Sequence, residues 1–300
     1  MTSFVLAAIL TIIIGLFGLF GNVNIVVATV RINPKVKSNL LMGILASADL
    51  VCIVFEFQNA FRILAGIQSH RRECFWFMSP YMVTITFQAY VMCALAFDRL
   101  YALTSPLRYQ KGQNSTYVLL LCLPGALLSL GLLVLGAVDL DDAPIIDCNP
   151  PLAFTPSLSV VWNNVMLACV LATLLGYVTA FCVLIAKTRR IKVLSSTDPS
   201  QAALRVQHKL TKSCQLVIVA FIFTAFLAHT SIYVIYWFRL SQQVADIYVT
   251  FMVVPAMMNY SQSFYVYCCC SKTYREAIRE QLLAIVKSRG SVIKHSIFLT

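Results

Sequence analysis

Seven apolar stretches of membrane-spanning length fill most of this 300-residue chain, at about 4–30, 40–64, 75–97, 117–138, 157–186, 213–238 and 247–270. Roughly 20 apolar residues cross a bilayer as a helix, and in hydrocarbon the backbone N–H and C=O groups must find their partners inside the segment. The pattern therefore predicts an all-α fold: a seven-transmembrane-helix bundle forming a single domain over residues 1–300. Hydrophobic residues make up 59% and charged residues 12% of the chain. A soluble domain carries roughly 25% charged residues, so a water-soluble fold is excluded.

Charge orients the bundle. All but four of the 23 Lys and Arg lie in 31–39, 98–116, 187–212 and 271–300, whereas the alternate connections hold only Arg62, Arg71, Arg72 and Arg239. Cationic loops stay in the cytosol, which predicts an extracellular amino terminus and a multi-pass protein of the plasma membrane. The first stretch outruns a signal peptide's core and carries Arg31 and Lys35 on its carboxyl side, so it reads as a retained span. The formal charge of +11 then reflects orientation and attraction to the lipid bilayer, not nucleic acid. Beyond the last span, residues 271–286 place Tyr274, Ile278, Leu282 and Ile285 three or four apart among charges. That is the pattern of a short amphipathic interfacial helix.

Most of the eleven cysteines fall within spans, where they act as small apolar residues. Cys74 and Cys148 alone are placed at the outer, oxidising face, which predicts a disulfide between them. Ionisable groups inside a membrane are costly and point to function. Asp49 is the clearest case, about 15 Å above the inner end of its span at 1.5 Å per residue. Asn22 and Ser263 come to a similar depth, with Asn259 one turn higher, so a buried polar cluster around Asp49 is expected. At the foot of the third span, Asp98-Arg99-Leu100 puts an acid and a permanent cation side by side. The two can pair while the inner face is closed and exchange partners when it opens.

Taken in order, Gly21-Asn22, Leu45-Ala-Ser-Ala-Asp49-Leu50, Cys74, Asp98-Arg99-Leu100, Cys148 and Tyr177 resemble the rhodopsin-like family of G-protein-coupled receptors. The end of the last span, Asn259-Tyr-Ser-Gln-Ser-Phe-Tyr-Val-Tyr267 followed by Tyr274-Arg275, is similar to the nematode serpentine chemoreceptors of the sx class. Ser263 and Phe264 stand where the rhodopsin-like family usually has Asn and Pro, and Gln88 where relatives often carry Ser, a poor set for sodium at Asp49. The position where amine receptors carry an Asp is Tyr81, so no protonated-amine anchor is expected. The resemblance implies that Arg99, Tyr177 and Tyr267 rearrange to admit a heterotrimeric G protein on the cytosolic face.

An extracellular small molecule or peptide is the implied ligand. Tyr81, Thr84, Trp162, Asn163, His229, Tyr233 and Met257 are its candidate contacts in the outer half of the bundle. A chemoreceptor reading is favoured over a neuropeptide receptor by the short outer tail, while the acidic loop from Asp139 to Asp147 suits a basic peptide. A ligand-gated channel of the insect odorant type needs the opposite topology. A retinal pump needs a Lys that residues 244–270 lack. The chemistry is binding: no enzyme activity and no cofactor are expected, and the four His show no metal-binding spacing.

Overall fold

Residues between the helices decide where each helix stops. A computed structural model describes residues 2–32, 36–67, 69–111, 113–145, 148–194, 220, 222–227, 230, 233, 237–238, 241–270, 275–281 and 283. Helix α1 covers Thr2–Arg31 and α2 Lys37–Ala65. Gly66 ends α2 in the left-handed region at φ 65°, its N–H reaching back to the Arg62 and Ile63 carbonyls, a conformation that costs glycine little. Helix α3, Arg71–Thr104, stops at Ser105 because Pro106 disfavours helical geometry in the residue before it. Pro106 then opens the six-residue helix α4, Pro106–Lys111, where its missing N–H is no loss. Helix α5 is Asn114–Val138. The Asn149 side chain caps α6, Pro150–Ala153, and Pro156 starts the 39-residue α7, Pro156–Leu194. Ile222–Phe226 form one π-helical turn, and α8 runs Gln242–Cys270.

Among the described residues, five segments are long and apolar enough to cross a membrane: Val5–Arg31, Lys37–Ala65, Arg71–Thr104, Asn114–Val138 and Pro156–Lys187. The stretch predicted at 213–238 lies largely outside the described residues. Several helices overrun their apolar stretches. Helix α3 begins at Arg71 rather than 75 and ends at Thr104 rather than 97, since the flanking charged residues continue the hydrogen-bonded ladder beyond the apolar core.

Helix α3 is the axis of the bundle, touching α2, α5 and α7, while α1 packs between α2 and α8. Burial agrees: 61% of the apolar window of α3 is buried, against 28% for α5. Leu119, Leu120, Leu123, Leu127, Leu130 and Val134 on α5 are exposed, an apolar face that suits lipid and not water. Small residues let α1 and α8 approach closely. A Cβ added at Gly21 would lie 2.6 Å from Phe264 Cβ.

One feature departs from the all-α expectation. Ser69–His70 (β1) pairs antiparallel with Pro144–Ile145 (β2), and the Arg71 N–H adds a bond to the Ala143 carbonyl at 2.9 Å. The Cys74–Cys148 disulfide, with a Cα separation of 5.5 Å, draws this loop across the outer end of α3, where its backbone groups need partners. At the opposite end, 275–281 is helical, with Ile278 and Gln281 buried and Arg275, Glu276, Arg279 and Glu280 exposed. Ile278 packs with Ile25, Ala28, Ala46 and Phe264. Arg275 donates to the Cys268 and Cys269 carbonyls at 3.0 Å each, satisfying the end of α8. Tyr274, Leu282 and Ile285 lie outside the described residues.

Candidate functional site

A carboxylate buried at a helix end needs donors, and the chain supplies them to Asp98 by turning back on itself. The break at Ser105-Pro106 folds α4 under α3, so that the Tyr109 hydroxyl donates to Asp98 Oδ2 at 3.3 Å. The Tyr117 phenol, at the start of α5, lies near the same carboxylate and favours its charged form. The rings of Tyr101, Tyr109 and Tyr117 touch one another with centroids 5.9 to 6.4 Å apart. Lys37 caps this cage, with Nζ 4.6 Å from the Tyr109 ring and 4.8 Å from the Tyr117 ring and a hydrogen bond to the Tyr109 carbonyl. Burial, followed by the adjacent Asp98 carboxylate, pushes the Tyr109 phenol upward, so it remains a proton donor at physiological pH.

Consecutive helix residues point about 100° apart at 3.6 residues per turn, and Asp98 and Arg99 accordingly take different partners. The Arg99 guanidinium faces the bundle interior, within electrostatic reach of Tyr267 on α8, Tyr177 on α7, Asp98 and Tyr109. A small cavity lies alongside, lined by Leu45, Met92, Tyr177, Gln262, Ser263 and Tyr267 among others. Leu100 is half-buried.

Halfway up, Asn22, Asp49, Asn259 and Ser263 are all buried, and each side chain meets a different neighbour. Asn22 Nδ2 donates to the Tyr260 carbonyl at 2.8 Å, and Gln88 Nε2 donates to Asp49 Oδ1 at 3.2 Å. Asn259 Oδ1 accepts from Gln262 Nε2 at 2.9 Å and from Thr224 Oγ1, in the π-helical turn, at 3.4 Å. Ser263 belongs to the cavity wall beside Tyr177 and Tyr267. The polar layer is thus a set of pairs linking α1 to α8, α2 to α3, and α8 to the π-helical turn.

In the outer half, the structure brings Tyr81, Trp162 and Met257 into one buried cluster. Trp162 Nε1 donates to Thr86 Oγ1 at 3.0 Å, and Tyr81 stacks on Phe55 with ring centroids 5.9 Å apart. Tyr233 lies toward the rim and donates to Asn164 Oδ1 at 2.5 Å. Thr84 uses its hydroxyl on the Pro80 carbonyl of its own helix, at 2.6 Å, and Asn163 is half-buried beside Asn164. His229 lies outside the described residues.

The structure adds a third buried carboxylate, which no motif marks. The Tyr81 hydroxyl donates to Glu56 on α2 and lies 3.4 Å from the Tyr260 hydroxyl. Asp49, Cys52, Glu56 and Asn59 are all buried, and their spacing of three, four and three residues sets them on one helix face. That spacing is the signal by which the sequence shows Glu56.

A search of curated proteins gives no match. The family profile described as serpentine type 7TM GPCR chemoreceptor Srsx matches residues 15–282, a range that takes in the Asp98-Arg99 turn, the disulfide and the α8 residues around the inner cavity. The chain belongs to the Srsx family of serpentine 7TM GPCR chemoreceptors and is a multi-pass membrane protein.

Proposed function

We propose that this chemoreceptor crosses the plasma membrane seven times with its amino terminus outside, binds an external chemical cue in the outer half of the bundle, and activates a heterotrimeric G protein. The observation that supports this reading is that Arg99 lies within electrostatic reach of Tyr177 and Tyr267, two residues that line the inner cavity. A permanently charged guanidinium held among phenols from two other helices can be released when those helices shift. A ligand acts by binding one arrangement better than the other. In the closed arrangement Asp98 is held by Tyr109 and Tyr117, and the mid-bundle pairs around Asp49 and Asn259 transmit helix movements between the two faces. Binding alone suffices for this work, with neither a cofactor nor covalent chemistry.

A small cue fits better than a basic neuropeptide. Among the outer acids, Asp141 is paired with Arg71 and Asp139 accepts from Thr155, so both are already engaged. The test is a screen of volatile and water-soluble compounds on cells expressing the full chain with a G-protein reporter. A hit should be silenced by Arg99→Ala at equal surface expression. A signal undiminished in that variant would refute the role given to Arg99.

A further inference from the structure

We infer that the π-helical turn Ile222–Phe226 is the hinge of the sixth apolar stretch and that Gln262 on α8 is the positioning residue that holds it in the closed arrangement. The inference deepens the receptor reading and rests on it for the coupling to a G protein. Sharp bends in helices occur mostly at Pro, at Gly/Ser pairs or at π turns, and residues 213–238 contain neither Pro nor Gly. The π turn takes their place. It sets an extra residue between bonded backbone groups and so interrupts the regular ladder. Threonines act on either side of it. The Thr224 and Thr230 hydroxyls donate to the carbonyls four residues back, Ala220 and Phe226, at 2.7 Å each, and such contacts compete with the backbone for those carbonyls and bend helices.

Two neighbours hold the turn. Ala225 joins the buried cluster of Val91, Met92 and Leu95 on α3, while Thr224, also buried, meets α8. Its one hydroxyl proton is committed to Ala220 by the shorter bond, since Asn259 Oδ1 stands at 3.4 Å. The oxygen is left to accept from Gln262 Nε2 at 3.2 Å, and the second Gln262 proton goes to Asn259 Oδ1 at 2.9 Å. One amide group therefore ties the turn to α8. Gln262 and Ala220 also line the inner cavity with Tyr177 and Tyr267, the phenols within reach of Arg99, so a bend at the turn moves the cavity wall beside the switch. The tie is also built to let go. Gln262 Oε1 is buried and makes no hydrogen bond among the described residues, and an arrangement that supplies it with a donor competes with this one.

The test measures hydrogen–deuterium exchange of the full chain in lipid nanodiscs by mass spectrometry, without G protein. Gln262→Leu removes both bonds at similar volume and should speed exchange of the 222–226 amides about tenfold, equivalent to about 1.4 kcal/mol, while α3 keeps its wild-type rate. Thr224→Val should do the same, and Thr224→Ser should keep the wild-type rate. The Gln262→Leu/Thr224→Val double variant should not exceed the larger single effect, as expected of two residues acting through one bond. Unchanged exchange at the turn, exchange raised equally in α3, additive effects, or a Thr224→Ser protein that behaves like Thr224→Val would each overturn the inference. Nucleotide exchange on added G protein, measured on the same discs, separates hinge from coupling. A faster turn with raised basal nucleotide exchange supports both. A faster turn with no nucleotide exchange even in wild type supports the hinge and removes the coupling. A faster turn that leaves an active receptor's basal level unchanged would make Gln262 merely structural and overturn its positioning role.

Discussion

Replacing Tyr109 by Phe should make the receptor noisy. Asp98 is fully buried, and its Oδ2 accepts from the Tyr109 hydroxyl at 3.3 Å while Tyr117 supplies a second phenol. Oδ1 makes no hydrogen bond among the described residues, so the substitution removes a large share of the donors to this carboxylate. A hydrogen bond to a charged group contributes about 1.5–3 kcal/mol. The ring itself remains, and with it the contacts to Lys37 and Tyr101, so packing is little disturbed. In the proposed mechanism the clamp belongs to the closed inner face, so its loss should destabilise that state alone. At 1.4 kcal/mol per factor of ten, the basal open population should rise about tenfold or more. Ligand-free GTPγS loading in membranes, normalised to surface receptor, measures it, and the Tyr109→Phe/Tyr117→Phe double variant should exceed either single one. Unchanged basal loading in both, together with a lowered melting temperature, would mean that the phenols serve the fold and not the switch.

Three further outcomes follow from particular contacts. Cys148→Ser opens a bridge between residues 74 apart in sequence. Chain-entropy reasoning sets its contribution at no more than about 4.5 kcal/mol, and the bilayer restrains the helix ends even without it; surface delivery should fall sharply and thermal melting should drop. Gly21→Ala places a methyl 2.6 Å from Phe264 Cβ, an atom fixed to the backbone, so α1 and α8 must part at about 1–3 kcal/mol, readable as an earlier melt in detergent. Asp141 is held below the usual carboxylate range by the Ala143 N–H and then by Arg71. A depressed folded-state value means its contribution is complete above the unfolded value of about 3.9 and lost as pH falls through the folded one. The melting difference between Asp141→Asn and wild type should therefore be constant from pH 8 to 6 and shrink only in strong acid.

The helices are legible in the sequence because apolar length and loop chemistry each act locally. Pro106 and Gly66 stop helices by their own backbone preferences, and the disulfide is legible because only two cysteines are placed at the outer face. What depends on helix rotation is not. Depth along a span can be counted from its ends, which places Asn22, Asp49 and Ser263 in one layer. The azimuth that sends Asp49 to Gln88 and Asn22 to the Tyr260 carbonyl is set by packing. Asp98 and Arg99 show the same limit: adjacency in sequence suggests a pair, and the two charges do stay within electrostatic reach, but only the folded chain shows that Tyr109 hydrogen-bonds Asp98. Glu56 escapes motif reading because it stands inside the apolar run Ile53-Val54-Phe55-Glu56-Phe57, and only its spacing from Asp49 and Asn59 reveals it. The β1–β2 pairing is equally invisible, since two residues per strand carry no periodicity.

In the proposed mechanism Arg99 passes the state of the bundle to a G protein. Guanine-nucleotide exchange on a purified heterotrimer, with the full chain in lipid nanodiscs, tests it most directly. Wild type should accelerate exchange over empty discs, Tyr109→Phe should accelerate it further, and Arg99→Ala should return it to the empty-disc rate while melting like wild type. An Arg99→Ala receptor that drives exchange as fast as wild type would show that Arg99 is not the coupling group.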